Sequence, residues 1–177
     1  MGGQVYAFER PERFVAGTVG APGERTFYLQ AADASRTVSV ALEKLQVSLL
    51  AQRLGELLDE AHRRLGADVG EEQTGDVDVQ PLAAPVEEEF RVGTLSLSWD
   101  AGSATVVVEA TAVQPDEGEV DEEDLDVLRV RLTPTETRAF VARAQRVVAA
   151  GRPPCPLCGL PLEAGGHVCP RQNGYRR

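Results

Sequence analysis

The stretch TVSVALEKLQVSLLAQRLGELLDEAHRRL, residues 37–65, changes its hydrophobic period at Glu43. Up to Leu42 apolar residues alternate with polar or small ones, which predicts a strand with one buried face. Beyond Glu43 the apolar residues recur every three or four positions, which predicts an amphipathic helix from about Glu43 to Leu65. Gly66 follows as its stop signal. Inside this helix Gly55 costs up to about 1 kcal/mol relative to alanine, so we expect it at a close packing contact.

Three further strands are predicted before this stretch. They are Val5–Phe8, Arg13–Val19 and Thr26–Ala31, and the sequence Ala-Pro-Gly-Glu at residues 21–24 marks a turn before the last of them. Together with residues 37–42 they form a predicted meander of three or four antiparallel strands.

Strands return after the helix. Phe90–Trp99 and Ala104–Val113 flank the turn sequence Asp-Ala-Gly-Ser at residues 100–103, and Val127–Leu132 alternates again. The intervening residues 67–89 are rich in Gly, Pro and acidic residues and predict a long loop, with a brief strand at 77–82.

A second helix begins with the strongest local signal in the chain. Thr133-Pro-Thr-Glu136 is a capping box with proline at the first helical position, and Gly151 followed by Pro153 ends the helix. The predicted fold class is α+β with a mostly antiparallel sheet and two main helices, rather than one built of βαβ units. Residues 1–151 form this domain, and residues 152–177 form a small C-terminal zinc knuckle.

The zinc prediction concerns Cys155, Cys158, His167 and Cys169, spaced C-x₂-C-x₈-H-x-C. Two thiolates on one turn, joined by an imidazole and a third thiolate, complete a tetrahedral Cys₃His set with no open position. The spacing resembles a zinc knuckle or a half zinc ribbon. It departs from the retroviral-type knuckle in the number of residues before the His, and from a full ribbon in the single residue between His167 and Cys169. A redox pair, incidental thiols or a catalytic zinc served by Glu163 remain alternatives.

Charge is divided unevenly along the chain. Residues 1–150 hold 14 Arg and Lys against 27 Asp and Glu, whereas residues 151–177 hold four Arg against Glu163 alone. The candidate partner-binding residues of the basic tail are Arg171, Tyr175, Arg176 and Arg177. Arginine with an aromatic residue also suits single-stranded nucleic acid. The alternative is that these arginines pair with acidic residues among residues 1–150 or are solvated.

Enzymatic motifs are lacking: the sequence has no phosphate loop, nucleophile elbow or His-Glu-x-x-His. If there is a pocket, it is expected between sheet and helices under the 67–89 loop, with Glu43, Lys44 and Gln46 as its polar cluster. Lys44 is the only lysine, which a GC-rich genome explains; a special amine is the alternative, and no neighbouring residue in the sequence argues for it. His62 is expected on the surface, and the acidic runs at 87–89 and 121–124 are expected to be solvated.

Nothing in the sequence predicts a membrane location. No apolar run approaches the roughly 20 residues that span a bilayer, and the first residues have no apolar signal-peptide core. We therefore expect a cytoplasmic protein.

Several segments together resemble one family. They are VYAFERPERFVAGT from residue 5, RTFYLQA from residue 25, EKLQV from residue 43, and the ending CPLCG followed by HVCPRQNGYRR. They resemble an uncharacterised actinobacterial family of about this length. The resemblance implies a cytoplasmic actinobacterial protein and brings no activity and no catalytic residues.

Three functions follow as hypotheses. The first is a zinc-stabilised binding, adaptor or regulatory protein with a protein partner and no enzymatic activity. The second is a nucleic-acid-binding regulator that uses the basic tail, and the third is an enzyme with a pocket under the 67–89 loop.

Overall fold

The computed structural model describes residues 2–21, 23–69, 77–115, 118 and 120–150. Its strands are β1 Val5–Phe8, β2 Arg13–Val19, β3 Thr26–Ala32, β4 Thr37–Leu42, β5 Glu88–Asp100, β6 Thr105–Ala112 and β7 Val127–Leu132. The helices are α1 Lys44–Leu65 and α2 Pro134–Ala149, and a short 3₁₀ turn covers Glu122–Asp124. Apart from the brief strand expected at 77–82, each predicted strand and helix is confirmed, with boundaries within two residues wherever the structure describes them.

The seven strands form one sheet in the order β1-β7-β6-β5-β4-β3-β2. Four neighbouring pairs are antiparallel, while β1–β7 and β4–β5 are parallel. The α+β class is therefore confirmed, with two corrections. Strand β1 does not join the meander but pairs with β7. The paired residues, such as Val5 and Val127, are 122 positions apart in the sequence. Helix α1 lies in a parallel crossover from β4 to β5, a connection that the alternating pattern did not reveal.

The sheet is strongly curled. Its two edge strands, β1 and β2, are joined by residues 9–12 alone. At a spacing of about 4.8 Å, a flat sheet of this size would separate its edges by roughly 29 Å. The connection reaches at most about 18 Å. Contacts across the gap agree with the curl, because Arg36 in the β3–β4 turn donates to the Ala7 carbonyl at 2.6 Å and lies 4.6 Å from the Phe8 ring centre.

Both helices pack on the inner face of this curled sheet and form one core with it. The inner face of β2–β4 includes Ala16, Leu29 and Val40, which are fully buried. Helix α2 places Phe140 on the Phe14 ring, with 4.7 Å between ring centres and near-parallel planes. Offset ring pairs of this kind add about 0.5–1.5 kcal/mol beyond the area that they bury.

The helix ends are fixed by local hydrogen bonds. Thr133 and Glu136 form the predicted capping box, with the Thr133 hydroxyl oxygen accepting from the Glu136 amide at 3.1 Å. Gly66 ends α1 in the left-handed conformation with φ 62°. The expected close contact at Gly55 is not found among the described residues, because none of their heavy atoms lies within 4 Å of a Cβ built there. Gly151 lies outside the described residues.

Residues 78–83, which we call the strap, cross the outer face of β2–β4. Leu82 is only 8% exposed, and it lies against Gly17 in β2. The buried Gln30 side chain in β3 accepts from the Ala83 amide at 2.8 Å and donates to the Ala83 carbonyl at 3.0 Å. The brief strand expected at 77–82 is wrong, because the backbone of these residues bonds to side chains rather than to another strand. Both faces of β2 are therefore covered.

Candidate functional site

The predicted zinc ligands Cys155, Cys158, His167 and Cys169 lie outside the described residues, as do Arg171, Tyr175, Arg176 and Arg177. The zinc site and the basic tail therefore stay predictions. Among residues 2–150, as far as the structure describes them, no group of three His, Cys, Asp or Glu side chains is arranged to hold a metal ion.

The polar cluster predicted at the start of α1 has a structural role. Glu43 is the N-cap residue, and Gln46 accepts from its amide at 2.7 Å to complete a capping box. Gln46 also donates to the Val92 carbonyl at 3.2 Å, and Arg91 pairs with the Glu43 carboxylate. These contacts tie the helix start to β5. Lys44 is exposed beside them.

A groove of about 450 Å³ runs between α1 and β5, and we call it the α1–β5 groove. Its lining residues are Gln46, Leu49, Leu50, Arg53, Gly93, Leu95 and Leu97. Helical spacing brings the first four to one side of α1. Pleating brings Leu95 and Leu97 to the same face of β5.

The floor of the groove is apolar and open to solvent. Leu49 is 44% exposed, and Leu45, one turn earlier on α1, is 67% exposed. Gly93 sits where the pairing of β5 with β6 shifts its register, and a Cβ there would lie 2.7 Å from the Val113 Cα. Only glycine fits this close backbone approach without displacing β6.

None of the described residues of the 67–89 loop lines this groove. A pocket beneath that loop stays a prediction, but its expected polar cluster lies elsewhere. The described part of the loop lines two cavities at the β2 edge of the sheet, beside α2, and none of Glu43, Lys44 and Gln46 lines either of them.

At that edge two arginines, Arg13 and Arg143, hold the strap to β2 through Asp78, and we call these three residues the Asp78 clamp. Arg13 makes two hydrogen bonds to the Asp78 carboxylate, at 2.8 and 3.3 Å, and two more to the carbonyls of Gln80 and Pro81. From α2, Arg143 donates to the Asp78 carbonyl at 2.8 Å and to its carboxylate at 3.2 Å. The hydrogen bonds from Arg13 hold the pKa of Asp78 below its ordinary value.

Arg143 also protects the open edge of the sheet. It is 5% exposed and donates through Nε to the Ala16 carbonyl of β2 at 2.8 Å. Burial lowers the pKa of its guanidinium, and the nearby charge of Arg13 lowers it further, whereas Asp78 raises it. The guanidinium nevertheless stays charged because an arginine is not deprotonated in proteins. An edge strand with paired carbonyls is a poor template for association with another chain.

The two cavities beside the strap share Asp78 and Arg143 as a wall. The larger, of about 350 Å³, contains Arg146 and the apolar side chains of Val79 and Val147. The smaller, of about 160 Å³, is lined also by Glu12, Arg13 and Glu136 among others. The smaller cavity is therefore lined by more acidic residues than the larger one.

Arg13, Asp78 and Arg143 were not among the residues predicted from the sequence. A signal was present in β2, where apolar or small residues run continuously from Phe14 to Gly17. Such a run is typical of a strand that is covered on both faces.

On the outer face of the other half of the sheet, Arg131 in β7 joins three segments. It donates to Glu9 at 2.8 Å, to Asp100 at 2.7 Å, and to the Ser103 and Thr105 hydroxyls. The Glu9 hydrogen bond contributes most to raising the pKa of Arg131, and Arg131 in turn lowers the pKa of Asp100. The network fixes the β5–β6 turn and the β1–β2 connection.

His62 and Glu89, the other titratable residues considered in the sequence, contact neighbouring parts of the fold. His62 is exposed, as predicted, with its Nδ1 3.0 Å from the Ala67 carbonyl oxygen beyond the end of α1. In the acidic run at 87–89, Glu89 accepts from the Tyr6 hydroxyl at 3.3 Å. Burial and then the Glu89 carboxylate raise the pKa of Tyr6. No described helix is long and apolar enough to cross a membrane.

Fold and surface together define an α+β protein with a curled mixed sheet, an open apolar groove on one side and a strap on the other. The chain belongs to the family described as "Protein of unknown function (DUF3090)", whose match covers residues 6–169. The matched span includes all four predicted zinc ligands. Comparison with curated proteins and with solved structures gave no match.

Proposed function

We propose that this protein is a zinc-stabilised adaptor that binds a protein partner through the α1–β5 groove. The single observation that carries the proposal is the exposure of leucines along that groove. Removing this apolar surface from water stabilises a complex with a partner that covers it. The C-terminal segment with its Cys₃His set adds a second, basic surface.

The groove has the composition of a peptide-binding surface. Leu95 and Leu97 form a half-buried floor beside the more exposed Leu49, and Gln46 and Arg53 supply a polar rim. Fully burying one leucine side chain contributes about 1.5–3 kcal/mol. An apolar groove between a helix and a strand suits the apolar face of a short amphipathic helix.

Four side chains would hold the zinc ion, namely Cys155, Cys158, His167 and Cys169. A tetrahedral Cys₃His set leaves no position for substrate, so its chemistry is structural. A segment of 26 residues is too short to fold by burial alone, and the metal would supply its folding free energy. We infer a cytoplasmic setting in an actinobacterium, where thiols remain reduced and available to the metal.

The charge distribution favours a protein partner over nucleic acid for residues 1–150. Residues 1–150 carry a balance of −13, which repels phosphates, while residues 151–177 carry +3. Arg171, Tyr175, Arg176 and Arg177 are proposed to contact an acidic part of the same partner.

Affinity capture with the full chain tests the proposal. Leu49→Asp places a charge in the groove and is expected to remove the partner, while Leu65→Asp changes a 62% exposed leucine on the same helix outside the groove and is expected to retain it. Deletion of residues 152–177 is expected to weaken capture.

Identical captured proteins from the wild type, the Leu49→Asp variant and the deletion would contradict the adaptor function. Capture that disappears after nuclease treatment and falls steeply with salt would assign the tail to nucleic acid instead.

A further inference from the structure

We propose that the larger cavity beside the strap binds an oxyanion, either a phosphate or a carboxylate group. We call it the α2–strap recess; it is lined by Gly17, Thr18, Asp78, Val79, Gln80, Pro81, Leu82, Arg143, Arg146, Val147 and Ala150. It lies at the β2 edge of the sheet and shares no lining residue with the α1–β5 groove beside the central strand, so the inference is independent of the proposed function.

The recess carries excess positive charge within an acidic body. Among the described residues, Arg13 and Arg143 share the single carboxylate of Asp78, so one of their two positive charges has no paired carboxylate there. Arg146 lies one turn beyond Arg143 on the same wall, and no ion pair joins it to a described residue. The carbonyl end of α2 offsets only about half an electron charge.

The Asp78 carboxylate has little capacity left for Arg143. Its oxygens already accept from Arg13 and from the Gln80 amide, in addition to Arg143 Nη1. Arg143 uses Nε for Ala16 and Nη1 for Asp78, and none of the described residues accepts from its Nη2. Because removing a charged donor from water without a partner is costly, an anion beside this guanidinium is stabilised.

The two cavities beside the clamp differ in their acidic lining residues, and this difference favours the recess as the anion site. The smaller cavity contains Glu12 and Glu136, whose carboxylates repel an anion. Among the described residues that line the recess, Asp78 is the only acidic one, and Arg143 and Arg146 line it as well. The anion is therefore expected on the Arg146 side of the clamp.

The same recess offers an apolar surface next to the charges. Val79 is 65% exposed, and Val147 lies opposite it on α2. At about 350 Å³ the cavity holds more than an isolated phosphate. The preferred ligand class is thus an oxyanion attached to a small apolar portion.

Titration of the full-length chain with inorganic phosphate, and separately with acetate, tests the inference at constant ionic strength. Amide spectra of ¹⁵N-labelled protein are expected to show saturable shifts at Gly17, Thr18, Val79 and Val147. The arm that saturates at the lower concentration identifies the anion class.

Arg146→Gln leaves the Asp78 clamp intact and is expected to weaken binding at least tenfold. Arg63→Gln removes an exposed arginine from α1 that lines neither the recess nor the α1–β5 groove, and is expected to change nothing. The inference is overturned if neither anion gives saturable shifts at the recess, or if Arg146→Gln binds as the wild type does. A folded Arg146→Gln variant with an unchanged spectrum in the absence of anion excludes misfolding as the cause.

Discussion

Replacing Gly17 by alanine tests the position of the strap through the sign of a stability change. Glycine within a strand is less favourable than alanine by about 0.5–1 kcal/mol, so on an uncovered strand the substitution is stabilising. In this structure the new Cβ would lie 2.5 Å from Leu82 Cδ2 and 2.6 Å from Leu82 Cγ. Overpacking of this kind costs about 1–3 kcal/mol. We therefore expect Gly17→Ala to destabilise the protein.

A double-mutant cycle with Leu82→Ala assigns the effect to the strap. Leu82→Ala alone is expected to cost about 2–3 kcal/mol, because the side chain is almost fully buried. It also removes the two atoms that obstruct the new methyl group, so Gly17→Ala becomes neutral or stabilising in that background. The expected coupling free energy is at least about 1 kcal/mol.

Urea unfolding, followed by the fluorescence of Trp99, the only tryptophan, measures these values at constant zinc concentration. Gly55→Ala is the matched control, because its Cβ meets no atom within 4 Å and removing a helical glycine stabilises by about 1 kcal/mol. If Gly17→Ala raises stability as Gly55→Ala does, with no coupling to Leu82, the strap does not lie on the outer face of β2.

Three further predictions concern stability. The pKa of Asp78 is lower in the folded state than in the unfolded state, so Asp78 stabilises the fold above its unfolded pKa, and this stabilisation is lost as pH falls towards its folded pKa. In acid-unfolding curves below about pH 4, the free energy of unfolding of the wild type should therefore fall by up to about 1 kcal/mol more than that of Asp78→Asn. Thr133→Ala removes the cap of α2 and should cost about 1 kcal/mol in urea unfolding. Phe140→Ala empties the centre of the core against Phe14 and should lower stability by about 3–5 kcal/mol by the same measurement.

Each of these has a control on a solvent-exposed position. Asp59→Asn should follow the wild-type acid curve, and Thr135→Ala and Val113→Ala should each change stability by less than about 0.5 kcal/mol. Equal losses in a variant and its control would contradict the structural role assigned to that side chain.

Local sequence signals were enough to predict the helices and strands. The alternation at 37–42, the spacing of leucines in α1 and the Thr133 capping box are interactions within a few residues, and the structure reproduces each of them. The turn between β5 and β6 at residues 101–104 follows from the same kind of signal.

The arrangement of those elements was not predictable, because it depends on contacts between distant residues. Pairing of β1 with β7 joins Val5 to Val127, and the edge of β2 is closed by Arg143, 127 residues from Ala16. An arginine on the polar side of a helix gives no periodic signal that it will be buried. The α1–β5 groove likewise requires knowing which strand lies beside the helix.

Metal analysis of the purified full-length protein is the most direct test of the proposed function. Native mass spectrometry with elemental analysis should give one zinc ion per chain, held by Cys155, Cys158, His167 and Cys169. His167→Ala should lose most of the metal, whereas His62→Ala, which changes the only other histidine, should retain it. A chain purified without chelators that contains no zinc, or equal zinc in the two histidine variants, would contradict the account.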